Sequence, residues 1–510
     1  MNQRNLLLCG FILLKLVLQY LLIDSGYDLH WDEYLHLDQA HHLAWGYISV
    51  PPVTSWFSYL IYLLGNTGFW VKFFPALFGA LTILLVWKSI EKLGGNLYAC
   101  SLAATALTFS ALARLNLLFQ PNSFDILAWT FIFYTLLRHL QTGKVSWLYW
   151  MGVGFGFGFL NKYTVLFLAF GVLLGLMLTP ERKIFKNPHL YAGLGLGFLI
   201  ALPNIIWQVV NDYPVIWHMK MLSKYQLVNV SRVDFLAEQV LFFLGSIFIL
   251  IAAFLSFFSY SPFKKYRFFF FTLIITLVAF AIFRAKAYYA ISLYPIFFAF
   301  GSIYLAHLLE LGWKRYLKPF TYLTPIGFFL LILPLVFPIK PPEKLKEIYA
   351  SNADLDLTRW EDGEVHDIPQ DFADMLGWKE LAEKVDLAYS KSPETDHTLI
   401  ICDNYGQAGA INFYTKIKGL RAVTMNADYV NWISLDQPIK HVILVREATD
   451  QISDREISLF EKSAHIGSIS DSNAREFGTN IHLLVGAKMD INAILASEIE
   501  EKKAELKMVN

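Results

Sequence analysis

Long apolar runs fill the first two thirds of the 510-residue chain. A helix needs about 20 apolar residues to cross a bilayer. The overall composition agrees with a membrane protein, since 55% of the residues are hydrophobic and only 16% are charged. We therefore predict a polytopic α-helical membrane protein with eleven spans, near 6–23, 69–90, 97–117, 123–140, 146–160, 163–179, 189–210, 236–258, 267–283, 287–308 and 320–338.

Charge divides the chain near residue 340. Residues 1–340 contain 24 Lys and Arg but 12 Asp and Glu, whereas residues 341–510 contain 18 and 30. We therefore predict a transmembrane domain over residues 1–340 and a soluble domain over residues 341–510. The basic residues of the first part separate apolar runs and form no patch of the kind that binds nucleic acid.

Residues 341–510 combine short β-rich runs with helical stretches. This alternation predicts a small C-terminal α/β domain. The β-rich runs are 397–402, 441–445 and 481–485, and the helical stretches include 378–390, 454–463 and a charged helix over 496–507.

Lys and Arg in the short loops predict the orientation. With the N-terminus in the cytoplasm, the inner loops carry fourteen of them and the outer loops carry eight, which is the usual bias. The odd number of spans then puts residues 341–510 outside the cytoplasm. We expect a bacterial plasma (inner) membrane protein facing the periplasm, anchored by its first apolar run, because that run lacks a small-residue cleavage site. Its three cysteines match neither a disulfide framework nor a zinc pattern.

The first outer loop is acidic and aromatic. It holds five of the twelve acidic residues of the membrane part, among them Asp32 and Glu33. Apolar spacing over 33–45 predicts a helix lying in the membrane interface, ended by Gly46 and followed by a second short helix over 53–64. Asp32 can be the N-cap of the first helix. A carboxylate fixed beside the membrane surface also suits a general base that acts on a membrane-bound substrate.

Further charged residues lie at the outer ends of other spans. Asp125 begins one membrane helix, and Lys162, Arg284 and Lys286 lie at the same outer level. A helix dipole or snorkelling explains each of them singly. Together they indicate a site for an anionic head group such as a lipid phosphate. Histidines of the first outer loop invite a metal interpretation, but packing is the favoured one, and a divalent metal ion held by outer carboxylates stays open.

An ordered set of motifs resembles the bacterial PMT-type membrane glycosyltransferases, relatives of the dolichyl-phosphate-mannose protein mannosyltransferases within the GT-C superfamily. The resemblance covers most of residues 20–445. The motifs are Trp31-Asp-Glu-Tyr34 with 42–52, Phe74-Pro-Ala-Leu-Phe-Gly-Ala80, Asn122-Ser-Phe-Asp125, Leu160-Asn-Lys-Tyr163, Leu202-Pro-Asn-Ile-Ile-Trp-Gln208, Lys286-Ala-Tyr-Tyr289 and 403–414.

The resemblance implies an inverting transfer of a sugar from a polyprenyl-phosphate donor to a protein, lipid or glycan acceptor at the outer membrane face. It makes Asp32 the catalytic base, with Glu33 beside it, and Asp125 a second acidic position that could bind a divalent metal. Lys162, Arg284 and Lys286 are the expected ligands of the donor phosphate. Residues expected to contact the donor or the acceptor are His42, Tyr47, Tyr163, Tyr288, Tyr289 and Tyr405.

This sequence also departs from the family pattern. Val50 precedes the paired prolines where the aminoarabinose-transferase branch has a lysine, which argues against lipid A aminoarabinose transfer. Trp31 stands where many bacterial members have arginine. We interpret residues 403–414 as a loop over the site.

Two other functions are compatible with a membrane chain of this composition. One is a transporter or flippase of lipid-linked saccharides, and the other is a membrane scaffold whose outer domain binds a partner. A transporter is expected to carry charged residues near the middle of its spans. Only Lys15 lies well inside one, and this favours chemistry at the outer surface.

Overall fold

The computed structural model describes residues 2–507. Up to residue 336 the chain is largely helical, and the apolar composition accounts for the longest segments, although prolines lie inside three of them. The helices are α1 (Gln3–Leu21), α2 (Trp31–Asp38), α3 (Val53–Leu63), α4 (Gly68–Lys92), α5 (Leu97–Thr108), α6 (Leu112–Leu115), α7 (Pro121–Thr142), α8 (Ser146–Asn161), α9 (Val165–Met177), α10 (Pro188–Val210), α11 (Pro214–Tyr225), α12 (Arg232–Leu241), α13 (Ile247–Ser259), α14 (Arg267–Ile282), α15 (Pro295–Leu308) and α16 (Lys318–Val336).

The expectation of a helical membrane protein is confirmed, but the number of spans stays a prediction. Among the described residues, five helices are long and apolar enough to cross a membrane, and up to eight if three bent helix pairs each count as one span. The predicted run 97–117 is divided into α5 and the four-residue α6. It breaks beside Ala111, whose backbone N–H donates to the carbonyl of Phe242 (3.3 Å) instead of continuing the helix.

Residues after 340 form one mixed sheet with helices around it. Within the described part of the chain the strand order is β2-β1-β3-β5-β4, with β1 parallel to β2 and β3, and β5 antiparallel to β3 and β4. The elements are α17 (Pro342–Ala350), α18 (Gln370–Ala373), α19 (Trp378–Ser390), β1 (Thr398–Cys402), α20 (Tyr405–Tyr414), β2 (Ala422–Thr424), β3 (His441–Arg446), α21 (Asp454–Ser458), β4 (Phe460–Ser468), β5 (Asn480–Ala487) and α22 (Ile491–Lys507).

Two predicted segments of this region are different in the structure. The helix predicted over 454–463 is only the short α21, and from Phe460 the chain continues as edge strand β4, because its backbone pairs with β5. The loop predicted over 403–414 is helix α20, whose N-terminus is capped by the Asn404 side chain. Asn at this position accepts from a free backbone N–H of the first turn and stabilises the helix start.

The first outer loop differs from its predicted form as well. Its first helix, α2, continues as a 3₁₀ turn only to His41 and does not reach Trp45. Tertiary contacts fix the following residues in a non-helical path, since His42 stacks on Trp432 (4.3 Å between ring centroids) and Asn204 Nδ2 donates to the Trp45 carbonyl (2.7 Å). The second short helix, α3, is present as expected.

The first outer loop and the C-terminal region share one hydrophobic core. Trp31 and Tyr34 of α2 pack edge to face against Trp378 of α19, at 5.7 and 5.5 Å between ring centroids. Helix α20 lies directly on α2, where a Cβ on Gly409 would meet Tyr34 at 2.7 Å. This close packing fixes the C-terminal region against the segment that carries Asp32.

Candidate active site

A cavity of about 1730 Å³ is lined by residues of the membrane helices, the first outer loop and the C-terminal region. Its lining combines a polar, charged set of side chains with an aliphatic and aromatic set. The polar set includes Asp32, Arg114, Gln120, Lys162, Lys286, Asp371, Asp374, Tyr405 and Arg475, and the apolar set includes Phe109, Leu241, Phe280, Phe329, Ile332 and Val336.

Asp32 lines this cavity, and two neutral donors hold its carboxylate. The Tyr405 hydroxyl donates to Oδ1 (2.7 Å), and Gln120 Nε2 donates to Oδ2 (3.0 Å). Asp32 is not the N-cap of α2, because His30 takes that position and accepts from the Asp32 N–H through Nδ1 (3.2 Å). The Asp32 side chain is therefore free to face the cavity, and it is placed as a general base requires.

Glu33 lies next to Asp32 in the sequence but has a different environment. It is 1% exposed and is not part of the cavity lining. Its carboxylate accepts from the backbone N–H groups of His30 (2.7 Å) and Phe119 (2.6 Å), and burial raises the pKa of Glu33. Glu33 thus joins the start of α2 to the segment that precedes α7.

Lys162 follows α8 and its side chain lines the cavity between aromatic rings. Its ammonium donates to Asn122 Oδ1 (2.7 Å) and lies 4.0 Å from the ring centroid of Tyr289 and 5.4 Å from that of Tyr288. Burial lowers the pKa of Lys162 to about 8. Such a desolvated cation interacts strongly with an anionic ligand, because the surroundings screen its charge weakly.

Asp125 lies close to this lysine but is removed from the cavity. It is 2% exposed, and it accepts from the hydroxyl groups of Ser292 (2.7 Å) and Thr164 (3.5 Å). The Asp125 carboxylate and the Lys162 ammonium attract each other. The interaction supports the position of the lysine side chain.

The two remaining predicted phosphate ligands are in different places. Lys286 lines the cavity and lies 3.9 Å from the carboxylate of Glu361. Arg284 is exposed and donates to the carbonyl of Val228 (2.7 Å), and it is not among the lining residues. The structure therefore brings Lys162 and Lys286 together with Asp32 and leaves Arg284 outside.

Of the predicted aromatic contacts, Tyr163, Tyr288, Tyr289 and Tyr405 line the cavity. The Tyr163 hydroxyl donates to Asn204 Oδ1 (2.9 Å) and accepts from Gln208 Nε2 (2.9 Å). The other two predicted contacts, His42 and Tyr47, are not part of the lining, and both serve the structure of the loop. His42 stacks on another ring, and the buried Tyr47 hydroxyl donates to the His42 carbonyl (3.1 Å).

Several polar residues of the cavity were not predicted from the sequence. Arg475 stacks on the ring of Trp31 (4.3 Å) and pairs with Asp374 (3.2 Å), and Arg114 pairs with Asp371 (3.2 Å). Burial raises the pKa of Asp374 to about 6. No local signal marks these residues, since each lies among ordinary polar residues of the C-terminal region or in an apolar run.

The carboxylates near the cavity do not assemble a metal site. Metal ions of the Mg²⁺ and Ca²⁺ type take several oxygen ligands, yet Asp125 is surrounded by two hydroxyl groups and a lysine, and Asp32 by an amide and a phenol. Over residues 2–507, the structure brings no three His, Cys, Asp or Glu residues into such a group. The residues present thus do not fit a divalent ion.

Comparison with known proteins confirms the resemblance to the PMT-type membrane glycosyltransferases. Residues 49–207 match the family model of dolichyl-phosphate-mannose-protein mannosyltransferase. The lipid A galacturonosyltransferase RgtD of Rhizobium johnstonii is 26% identical over 242 residues, which are 46% of this chain and 50% of RgtD. The chain thus spans about half the length of the curated relative that it matches.

Solved structures share the fold over nearly the whole chain. ArnT from Cupriavidus metallidurans bound to undecaprenyl phosphate has a TM-score of 0.61, with 14% identity over 93% of this chain and 97% of ArnT. The apo state of the same protein has a TM-score of 0.59 with the same identity and coverage. The likeness covers both the membrane helices and the C-terminal region, and at this identity it concerns the fold alone.

Proposed function

We propose that this protein is an inverting glycosyltransferase that moves a sugar from a polyprenyl-phosphate donor to an acceptor at the outer face of the membrane. One observation carries the proposal: the carboxylate of Asp32, oriented by Tyr405 and Gln120, lines the same cavity as the ammonium groups of Lys162 and Lys286. A base and two cations in one cavity supply what the departure of a phosphate and the activation of a hydroxyl require.

In the proposed reaction, Asp32 takes the proton of the acceptor hydroxyl. The acceptor oxygen attacks the anomeric carbon from the face opposite the phosphate and forms the new glycosidic bond. The bond from that carbon to the phosphate oxygen breaks, and its electron pair leaves with the lipid phosphate. Attack from the opposite face inverts the configuration at the anomeric carbon.

Lys162 and Lys286 have the role of stabilising the leaving group. Negative charge gathers on the phosphate as the bond breaks, and cations that are already in position stabilise it without further reorganisation. Asn122, Tyr288 and Tyr289 hold the Lys162 ammonium at the cavity wall. The chemistry needs no nucleotide, because the lipid phosphate is itself the leaving group.

The apolar part of the cavity suits an isoprenoid chain. Its aliphatic and aromatic side chains come from the membrane helices and include Phe280 of α14 together with Phe329 and Val336 of α16. Apolar surface of this kind favours a hydrocarbon ligand over water. The structurally similar ArnT binds undecaprenyl phosphate, and this supports the same class of donor lipid here.

The orientation belongs to the proposal too. Asp32, Lys162, Lys286 and Tyr405 come from four segments that the loop charges assign to the outer side, and all four line one cavity. This convergence supports eleven spans, a soluble domain after residue 340 and a site facing the periplasm from the bacterial inner membrane. The acceptor class is a protein, a lipid or a glycan. Similarity to the lipid A galacturonosyltransferase RgtD makes lipid A the first acceptor to test and galacturonic acid the first sugar.

Transfer from synthetic donors tests the proposal. Purified protein in detergent is incubated with polyprenyl-phosphate sugars that carry a labelled sugar, including galacturonic acid, with lipid A and peptide acceptors, beside the Asp32→Asn variant. We expect label in an acceptor with the wild type and a rate lower by about two to four decades with the variant. If labelled lipid crosses a proteoliposome bilayer and no donor is consumed, the glycosyltransferase proposal is refuted and the flippase function is supported.

A further inference from the structure

A buried carboxylate, Glu476, lies behind the first turn of α20. Its side chain is 4% exposed. It accepts hydrogen bonds from the side-chain amides of Gln407 (2.7 Å) and Asn404 (3.1 Å) and from the Thr479 hydroxyl (2.7 Å). All three donors are neutral, and a charged group buried among neutral groups is expensive unless its hydrogen bonds are satisfied.

These hydrogen bonds fix the N-terminus of α20. Asn404 caps the helix, since its Oδ1 accepts from the backbone N–H of Gln407 (2.9 Å). Gln407 in turn accepts from the backbone N–H of Asp403 through Oε1 (3.0 Å). Glu476 therefore holds Gln407 by the amide nitrogen that the cap leaves free, and it shares the amide nitrogen of Asn404 with Glu447 (2.8 Å).

Tyr405 lies between these two residues and is the first residue of α20. Its hydroxyl donates to Asp32 (2.7 Å), and its ring packs edge to face on Trp31 (5.7 Å between ring centroids). The direction of the Tyr405 side chain is set by the backbone at the helix start. Any change in the cap of α20 is therefore transmitted to the carboxylate of Asp32.

Arg475, the residue before Glu476, lies on the α2 side of the interaction between Tyr405 and Asp32. Arg475 stacks on Trp31 (4.3 Å) and pairs with Asp374 (3.2 Å), whose backbone carbonyl accepts from the Trp31 N–H (3.1 Å). Two consecutive residues thus contact the sequence neighbours of Tyr405 and Asp32, namely Asn404 and Trp31. One of them binds the start of α20 and the other binds the start of α2.

We propose that Glu476 is a positioning residue that sets the orientation of Asp32 through the cap of α20 and the hydroxyl of Tyr405. The proposal rests on the proposed role of Asp32 as the base. Displacement of a reacting group by about 1 Å can reduce a rate by about a hundredfold. The C-terminal region would then take part in the reaction by holding the base, while Glu476 itself touches no substrate.

The test compares Glu476→Gln with Tyr405→Phe and with the double variant in the transfer assay. Glutamine presents an N–H₂ group to donors that need an acceptor, so that the cap loosens and Tyr405 moves away from Asp32. We expect each single variant to lower kcat about tenfold with KM within about twofold, as for one lost hydrogen bond to a charged group. The double variant should be no slower than the slower single variant, because both changes remove the same interaction.

The split between kcat and KM separates positioning from a structural role. A displaced base loses an interaction that is made in the transition state, so Glu476→Gln and Tyr405→Phe should both lower kcat at a nearly unchanged KM. A variant that only loosens the fold lowers the thermal midpoint and leaves the kcat of the folded molecules in place.

Glu380→Gln is the matched control. Glu380 of α19 accepts from Lys384 and from the backbone N–H (3.0 Å) and hydroxyl (2.7 Å) of Ser470, and it makes no contact with the cap of α20. The same substitution there should leave kcat and KM unchanged. Should Glu476→Gln fail to fold, Thr479→Val removes one of the three hydrogen bonds, and we expect it to lower kcat about threefold in the wild type and not in the Tyr405→Phe background.

The outcomes are distinguishable from failure of the proposed function. If wild type and Asp32→Asn are equally inactive with every donor, the glycosyltransferase itself is refuted. If wild type is active and Asp32→Asn is not, but Glu476→Gln behaves like Glu380→Gln, the positioning role is refuted. A double variant whose loss equals the product of the two single losses would also refute it.

Discussion

Transfer activity should decline at alkaline pH because Lys162 loses its proton, and the Lys162→Arg variant should not show this decline. Burial lowers the pKa of Lys162 to about 8, and the proposed function requires its charged form beside the donor phosphate. A cation with this pKa is about 90% charged at pH 7 and about 10% charged at pH 9. We therefore expect kcat/KM of the wild type to fall about tenfold from pH 7 to pH 9.

Coulomb's law gives the size of the charge effect. An ammonium about 4 Å from a phosphate oxygen contributes about 4 kcal/mol at an effective dielectric constant of 20. Removal of one such group at a developing negative charge lowers rates by about 10²–10³. Lys162→Gln should therefore reduce kcat/KM at pH 7 by that factor, and it should lose the alkaline limb because no charge remains to be titrated.

Lys162→Arg is the decisive variant. Arginine stays charged far above pH 9, and its planar group can lie on the Tyr289 ring as the ammonium does now. We expect a moderate loss at pH 7 and no decline up to pH 9. Ionisation of Tyr405 does not contribute to the alkaline decline, since burial raises the pKa of Tyr405 well above its usual value.

The assay is the initial rate of transfer from the labelled donor between pH 6 and pH 9.5, at donor concentrations well below KM, so that the rate reports the free enzyme. Lys286→Arg is the control and should leave the alkaline limb unchanged. A limb near pH 8 that persists in Lys162→Arg, or a wild type without any decline in this range, would refute the reasoning.

Three further outcomes follow from the site and its support. Asp32→Asn should lower kcat by about 10²–10⁴ with an unchanged thermal midpoint. Glu33→Gln should instead lower the free energy of unfolding by about 1–3 kcal/mol, because one backbone N–H loses its acceptor. Thermal unfolding in detergent compares the two variants. Lys286→Gln should reduce kcat/KM about tenfold. Because Arg284 lies outside the cavity, Arg284→Gln should change kcat/KM less than about twofold. Gly409→Ala should destabilise the protein by about 1–3 kcal/mol, since the new Cβ would overlap α2, and an unchanged midpoint would contradict the packing of α20 on α2.

Amphipathic and apolar periodicity predicted the regular elements well where local interactions dominate. Helix α19 has the predicted bounds, and strands β1, β3 and β5 lie on the predicted β-rich runs. The first four residues of the edge strand β4 were mistaken for the end of a helix, because the exposed charged residues give no alternation and the backbone is organised by pairing with β5. Helix α20 was mistaken for a loop, since small residues that permit close packing on α2 resemble those of a turn.

The polar lining of the cavity could be predicted in part. Scarce acidic residues at the outer ends of apolar runs pointed to Asp32, and the family motifs pointed to Lys162, Lys286 and Tyr405. The sequence could not distinguish Lys286 from Arg284, two residues away, because the positive φ of 51° at Arg284 and its hydrogen bond to a distant carbonyl turn it out of the cavity.

The sequence by itself determined that this chain is a helical membrane protein whose last third is acidic, because hydrophobic burial and charge depend on residue types along the chain. Tertiary structure alone decided which of two adjacent carboxylates faces the cavity. Glu33 is turned inward by the backbone of Phe119, 86 residues away, and Asp32 is held by Tyr405, 373 residues away. Side-chain direction at a helix start follows its hydrogen-bond partners, and those partners meet only when the chain folds.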